Sequence, residues 1–103
     1  MTDPATVLAR LDEIEHDLAH RQNALESAAR KWIVAKRDKE KAKALVFLQA
    51  DGSVAARQAQ ADRATALDGK DEEAEYVALK AVVDVLGTRA SIGQSILRAM
   101  GNA

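Results

Sequence analysis

The most constraining feature of this sequence is a long stretch without a helix breaker. From Ala5 to Asp51 the chain contains neither proline nor glycine, and Asp3 before Pro4 is a typical helix start. Within the stretch, one stripe of positions alternates in steps of four and three, which is the spacing of a seam between packed helices. Its members are Val7, Leu11, Ile14, Leu18, Arg21, Leu25, Ala28, Trp32, Ala35, Lys39, Ala42 and Val46. A helix this long needs a covering helix.

The covering helix is predicted to follow Gly52. Asp51-Gly52-Ser53 combines a helix terminator with a cap for the next helix. A second stripe follows, at Tyr76, Leu79, Val83, Leu86, Ala90, Gly93, Leu97 and Met100. We therefore predict one domain over residues 1–103, with helices at 4–50 and 54–100 and a turn at 51–53. A break at 68–71 is the alternative to a continuous second helix, because Gly69 weakens a helix there. Ala55, Ala59 and Ala66 are the expected buried residues in its first half.

Composition and charge support an all-α, coiled-coil-like antiparallel hairpin. Three aromatic residues among 103, with 22 alanines, are typical of long helices and exclude a β fold for practical purposes. Residues 30–43 carry seven bases and two acids, and residues 60–75 carry six acids and two bases. Folding back at Gly52 places position i opposite roughly 103 minus i, so these segments meet. The same arithmetic pairs the two charged stripe residues with acids, Lys39 with Asp62 and Arg21 with Asp84.

Apolar residues outside the stripes predict self-association. A lone hairpin would leave several aliphatic side chains in water. The self-association residues are expected to be Leu8, Val82, Val85, Ile92 and Ile96. We expect a two-fold dimer with a four-helix bundle core, in which Gly87 and Ser91 permit close approach.

The basic segment has two interpretations. Its cations could contact nucleic acid, with Trp32 stacking on a base. The candidate contacts are Arg30, Lys31, Lys36, Arg37, Lys41 and Lys43. The preferred interpretation is pairing within the chain, with acids such as Asp62, Asp68 and Asp71.

Other site chemistry is not indicated by the sequence. His16 and His20 lie four apart on one helical face, but without a metal-binding motif we interpret them as solvated. There is no cysteine, phosphate-binding loop or nucleophile motif. We therefore expect no enzymatic activity, cofactor, metal, small-molecule substrate or membrane partner, and a cytoplasmic location.

One segment points to a source. The run Thr88-Arg89-Ala90-Ser91-Ile92-Gly93-Gln94-Ser95-Ile96-Leu97-Arg98, after the Ala-rich helix containing Ala55-Ala56-Arg57-Gln58-Ala59, resembles the ending of small helical proteins of tailed phages and prophages. Members of this family are mostly of unknown function and are often encoded near recombination and single-strand-binding genes. The resemblance transfers no catalytic residues. With the hairpin, it leads us to expect a non-enzymatic interaction or scaffold protein that binds a phage or host protein. The alternative is a nucleic-acid accessory of phage recombination or replication that uses residues 30–43.

Overall fold

The protein is all-α, as predicted. A computed structural model describes residues 3–101, and these form three helices with no strand among them: α1 (Pro4–Gln49), α2 (Val54–Ala64) and α3 (Lys70–Gly101). The chain divides into two compact units. Unit 1 contains residues 1–27 and 77–103, and unit 2 contains residues 28–76.

The start of α1 and the turn after it follow the sequence signals. An Asp3 carboxylate oxygen accepts a hydrogen bond from the Thr6 backbone amide at 2.8 Å, which caps α1. After α1, Gly52 has a φ of 108°, a conformation that other residues rarely adopt. The Ser53 hydroxyl then caps α2 by accepting from the Ala56 amide at 3.1 Å.

The continuous second helix is wrong, and the alternative of three helices is right: the chain breaks at residues 65–69, which overlap the alternative position 68–71. Helix α2 ends at Ala64 and the chain turns through residues 65–69 before α3 begins at Lys70. The buried Thr65 hydroxyl donates to the Ala61 carbonyl oxygen at 2.9 Å, and the Thr65 backbone amide donates to the same oxygen at 3.2 Å, so Thr65 closes the last turn of α2. Gly69 has a φ of 76°, so the turn between α2 and α3 also depends on a glycine.

Small side chains make the tightest packing in unit 2. Ala28, Ala61 and Thr65 are almost completely buried. Ala55, Ala59 and Ala66, the alanines expected in the core, are exposed instead. The expectation failed because the packed face of α2 contains Arg57, Ala61 and Thr65, which lie four residues apart and include only one apolar residue.

Unit 1 has a conventional aliphatic core. Val7 and Leu11 of α1 are buried, as are Leu86 and Ala90 of α3. Gly93 lies so close to α1 that a Cβ atom there would be 3.2 Å from a Leu11 methyl carbon. The absence of a side chain at Gly93 is therefore what admits Leu11.

The two predicted stripes are the buried stripes. Every member of the α1 stripe except Arg21 is buried or half-buried, and so is every member of the α3 stripe. In unit 2, Trp32 contacts Tyr76, Ala35 approaches Gly69, and Lys43 approaches Asp62. These pairs are close to the predicted fold-back register.

Both predicted charge pairs are wrong in detail. The Lys43 ammonium, one turn beyond Lys39, lies 3.8 Å from the Asp62 carboxylate. The fold-back rule placed the partner of Asp62 a few residues too early in α1. Lys39 and Lys43 are one helical turn apart, so an error of this size selects the wrong lysine. Arg21 is exposed and pairs at 3.4 Å with Asp17 of its own helix rather than with Asp84.

Candidate functional site

A second stripe with seam spacing runs along α3, outside the stripe that packs in unit 1. It steps alternately by four and three residues. Its members, which we call the outer seam, are Ala78, Val82, Val85, Arg89, Ile92, Ile96 and Ala99. Each of them directly precedes a member of the buried stripe, so the outer seam lies about 100° around the helix from it. All seven residues are exposed.

The outer seam borders an apolar groove in unit 1. The groove has a volume of about 370 Å³. Its lining residues are Thr6, Val7, Arg10, Leu11, Ile14, Arg89, Ile92, Gly93 and Ile96. Ile92 and Ile96 remain 55 % and 42 % exposed, which is much apolar surface for two neighbouring side chains on one helical turn. The missing side chain at Gly93 helps to form the groove as well as admitting Leu11.

Two arginines contribute the charge of the groove. Arg10 lies 3.8 Å from Glu13 in an exposed pair, which holds it weakly. Arg89 is exposed, and it has no ion pair among residues 3–101. Arginine can lay its aliphatic stem along an apolar surface while its guanidinium stays in water. Arg89 therefore fits within an apolar stripe without breaking it.

The structure separates the predicted self-association residues into two groups. Val82, Val85, Ile92 and Ile96 all belong to the outer seam. Leu8 is half-exposed but does not line the groove. Gly87 and Ser91 lie on a different side of α3 from the outer seam, because residues two positions apart on a helix differ by about 200°. That these two small residues permit close approach of a second copy therefore stays a prediction that concerns another side of α3.

Sequence reasoning identified four outer-seam residues but missed Arg10 and Arg89. The spacing did indicate Arg89, because it lies four residues after Val85 and three before Ile92 and so continues the alternating steps of the outer seam. Arg10 gives no such signal, because only the packing of α1 against α3 brings it to the groove.

The basic segment is partly engaged within unit 2. The Trp32 and Tyr76 rings stack at 4.8 Å with 26° between their planes, and the Lys36 ammonium lies 3.7 Å from the centre of the Trp32 ring. The Trp32 ring is therefore already in contact with one aromatic ring and one cation. Lys43 pairs with Glu40 at 3.7 Å as well as with Asp62.

The other candidate nucleic-acid contacts point outward. Arg30, Lys31, Arg37 and Lys41 are exposed on α1, whereas Lys39 is half-buried beside Trp32 and Gly69. An exposed cation can reach a phosphate, but the ring expected to stack on a base is already stacked.

His16 and His20 are both exposed on α1. Within the part of the chain that the structure describes, no group of three or more His, Asp or Glu side chains is arranged to hold a metal ion. None of the helices among residues 3–101 is both long and apolar enough to cross a bilayer.

No protein-family model, curated protein or solved structure matches this chain.

Proposed function

We propose that this chain is a non-enzymatic helical interaction protein that binds an α-helix along the outer seam of α3. The single observation that carries the proposal is the outer seam itself, an exposed stripe with the four-three spacing of helix packing. In our proposal the interaction takes place in the cytoplasm of a bacterial host, as the resemblance to phage and prophage proteins implies.

The energetics favour an interface on this side of α3. Burying a large aliphatic side chain stabilises by roughly 1.5 to 3 kcal/mol when it starts fully exposed. Val82, Val85, Ile92 and Ile96 are between 39 % and 55 % exposed, so each would contribute about half of that. Four such residues on each partner give a gain comparable with the lower estimates of the entropy lost on association.

A helix fits this surface better than an extended peptide does. The outer seam spans residues 78–99, about 32 Å at the rise of an α-helix. It offers side chains at helical spacing, whereas an extended strand needs unpaired backbone groups, which a helix does not expose along its side. The partner is therefore expected to present an apolar stripe on one helical face.

Nucleic-acid binding by residues 30–43 is the second candidate function. It is supported by the exposed cations Arg37 and Lys41. Binding through them would weaken steeply with salt, because phosphate contacts release counterions. A mobility shift with single- and double-stranded DNA at two salt concentrations tests it. A shift lost in an Arg37→Gln/Lys41→Gln variant would favour this function over the helix-binding one.

Site-specific photocrosslinking tests the helix-binding function. A benzophenone amino acid is placed at Val85 in the outer seam, and in a control protein at Val77, which is equally exposed on α3 but off the seam. We expect a covalent protein adduct from Val85 in expressing cells, and its loss when Ile92→Asp is added. Equal adducts from both positions, or none from Val85, would refute the proposal.

A further inference from the structure

The exposed side of α1 near the turn combines cations with large aliphatic side chains. Arg37, Lys41, Leu45 and Leu48 are all exposed, and their positions lie within about 80° of one another around the helix. We call these four residues the tip face. The leucines are 58 % and 71 % exposed, and Val54, just past the turn, is 70 % exposed. All five residues belong to unit 2.

The cations of the tip face are not neutralised by the chain itself. Arg37 and Lys41 form no ion pair among residues 3–101. Lys43, on the inward side of the same segment, lies 3.8 Å from Asp62. The acids of unit 2 therefore engage the inward side of the basic segment and leave the tip face cationic.

The end of unit 2 beyond these cations carries little charge. Residues 44–60 include two charged side chains, Asp51 and Arg57. The Arg57 side chain donates to the Phe47 carbonyl oxygen at 2.9 Å, and its guanidinium lies 4.4 Å from the centre of the Phe47 ring, so it is held against the chain. Apolar surface thus begins about one helical turn after the cations, because Lys41 and Leu45 are four residues apart.

We propose that the tip face docks on the surface of a lipid bilayer that contains anionic phospholipid. A bilayer surface presents phosphates and acyl carbons at adjoining depths, so it can pair both cations and cover both leucines. Nucleic acid would pair the cations but leave the leucines in water. A wholly apolar protein surface would bury the cations without partners. Docking of this kind needs no membrane-spanning helix, and it goes beyond the proposed function, which concerns α3.

Local charge, rather than the charge of the whole chain, decides such docking. The net charge of −1 is why the sequence alone predicts no membrane partner. Attraction to an anionic surface falls off within a Debye length, about 8 Å at physiological salt, so the bilayer responds to the docked face. Two acids border the tip face, Asp38 beside its cations and Asp51 in the turn. Both oppose docking, and removal of either is expected to strengthen it.

Cosedimentation with large unilamellar vesicles tests the proposal. One set of vesicles contains phosphatidylglycerol and phosphatidylcholine in equal parts, and the other contains phosphatidylcholine alone. We expect the natural chain to bind the mixed vesicles about tenfold more tightly, or better. Two double variants should each weaken this binding by about tenfold or more, with helicity unchanged: Arg37→Gln/Lys41→Gln and Leu45→Gln/Leu48→Gln. The control Arg63→Gln/Leu67→Gln makes the same kinds of change at exposed positions of unit 2 off the tip face, and it should bind like the natural chain.

Asp51→Asn distinguishes docking from damage to the fold, because it should strengthen binding severalfold. Weaker binding in Asp51→Asn would contradict the proposal. Full binding by Leu45→Gln/Leu48→Gln would show that the cations alone attract the vesicles, and it would overturn docking through the tip face. Equal binding to both kinds of vesicle, or none by the natural chain, would overturn the anionic bilayer as partner. A DNA mobility shift without any vesicle binding would assign Arg37 and Lys41 to nucleic acid instead.

Discussion

Two glycines in α3 provide a matched test of the packing in unit 1. A Cβ added at Gly93 would lie 3.2 Å from a Leu11 methyl carbon, whereas one added at Gly87 would meet no atom within 4 Å. Both glycines are inside the same helix, so each substitution by alanine gains the same helix propensity, about 1 kcal/mol. The difference between the two variants therefore isolates the contact with Leu11.

Gly87→Ala should stabilise the chain by about 1 kcal/mol. Gly93→Ala gains the same amount but forces an extra carbon into a packed contact, which typically costs roughly 1 to 3 kcal/mol. Its net effect is expected to lie between roughly zero and 2 kcal/mol of destabilisation. In urea unfolding followed by circular dichroism, Gly87→Ala should raise the midpoint by about 0.3 to 1 M, and Gly93→Ala should leave it unchanged or lower it.

A double variant checks the cause. In a Leu11→Ala background the crowding methyl is absent, so Gly93→Ala should stabilise as much as Gly87→Ala does. All variants are compared at one protein concentration, because self-association would otherwise shift the midpoints. If Gly93→Ala stabilises the natural sequence as strongly as Gly87→Ala, the close approach of Leu11 to α3 is refuted.

Three further predictions follow from side chains elsewhere. Asp62→Ala should lower the free energy of unfolding by less than about 1 kcal/mol in urea titration, because the Asp62 side chain is 56 % exposed and lies 3.8 Å from Lys43. A larger loss would indicate a buried ion pair. Thr65→Val keeps the shape of a buried residue but removes its hydroxyl bond, so it should cost about 1 kcal/mol by thermal or urea unfolding. A stabilised variant would show that this bond does not stabilise the fold. The hydrogen bond from the Thr6 backbone amide lowers the pKa of Asp3 below its ordinary 3.8. The cap therefore stabilises the folded chain above pH 3.8, and this stabilisation is lost as the pH falls through the lowered pKa. A carboxyl NMR titration midpoint at or above 3.8 would contradict this prediction.

The helical architecture was predictable because its signals are local and periodic. Asp3-Pro4 and Gly52-Ser53 mark helix ends by backbone chemistry that needs no tertiary contact. The alternation of three and four over forty residues predicted which face of α1 is buried, since no other helical face is so uniformly apolar.

The break between α2 and α3 was harder to locate because its causes are tertiary. Gly69 was visible, but the chain leaves the helix at Thr65, a buried residue whose hydroxyl and backbone amide both donate to the Ala61 carbonyl oxygen. The packed face of α2 and its C-terminal cap combines Arg57, Ala61 and Thr65. Only one of these residues is apolar, so hydrophobic periodicity does not identify the face.

The candidate site was predictable only in part. The aliphatic residues of the outer seam are evident from composition, but their exposure depends on which of two adjacent stripes packs in unit 1. Both stripes have the same spacing, and they differ in sequence position by a single residue. Gly93 belongs to the packed stripe, and its close approach to Leu11 is a tertiary contact that the spacing does not show.

The aromatic stack of Trp32 on Tyr76 gives the chain a built-in optical probe of one unit. The chain has one tryptophan, one tyrosine and one phenylalanine, and all three lie in unit 2. Intrinsic fluorescence and near-ultraviolet dichroism therefore report on unit 2 alone, whereas far-ultraviolet dichroism sums over every helix. Coincident unfolding curves from these signals would show that the two units melt as one cooperative block. A fluorescence transition that comes first or last would resolve them as separate steps, without any label being introduced.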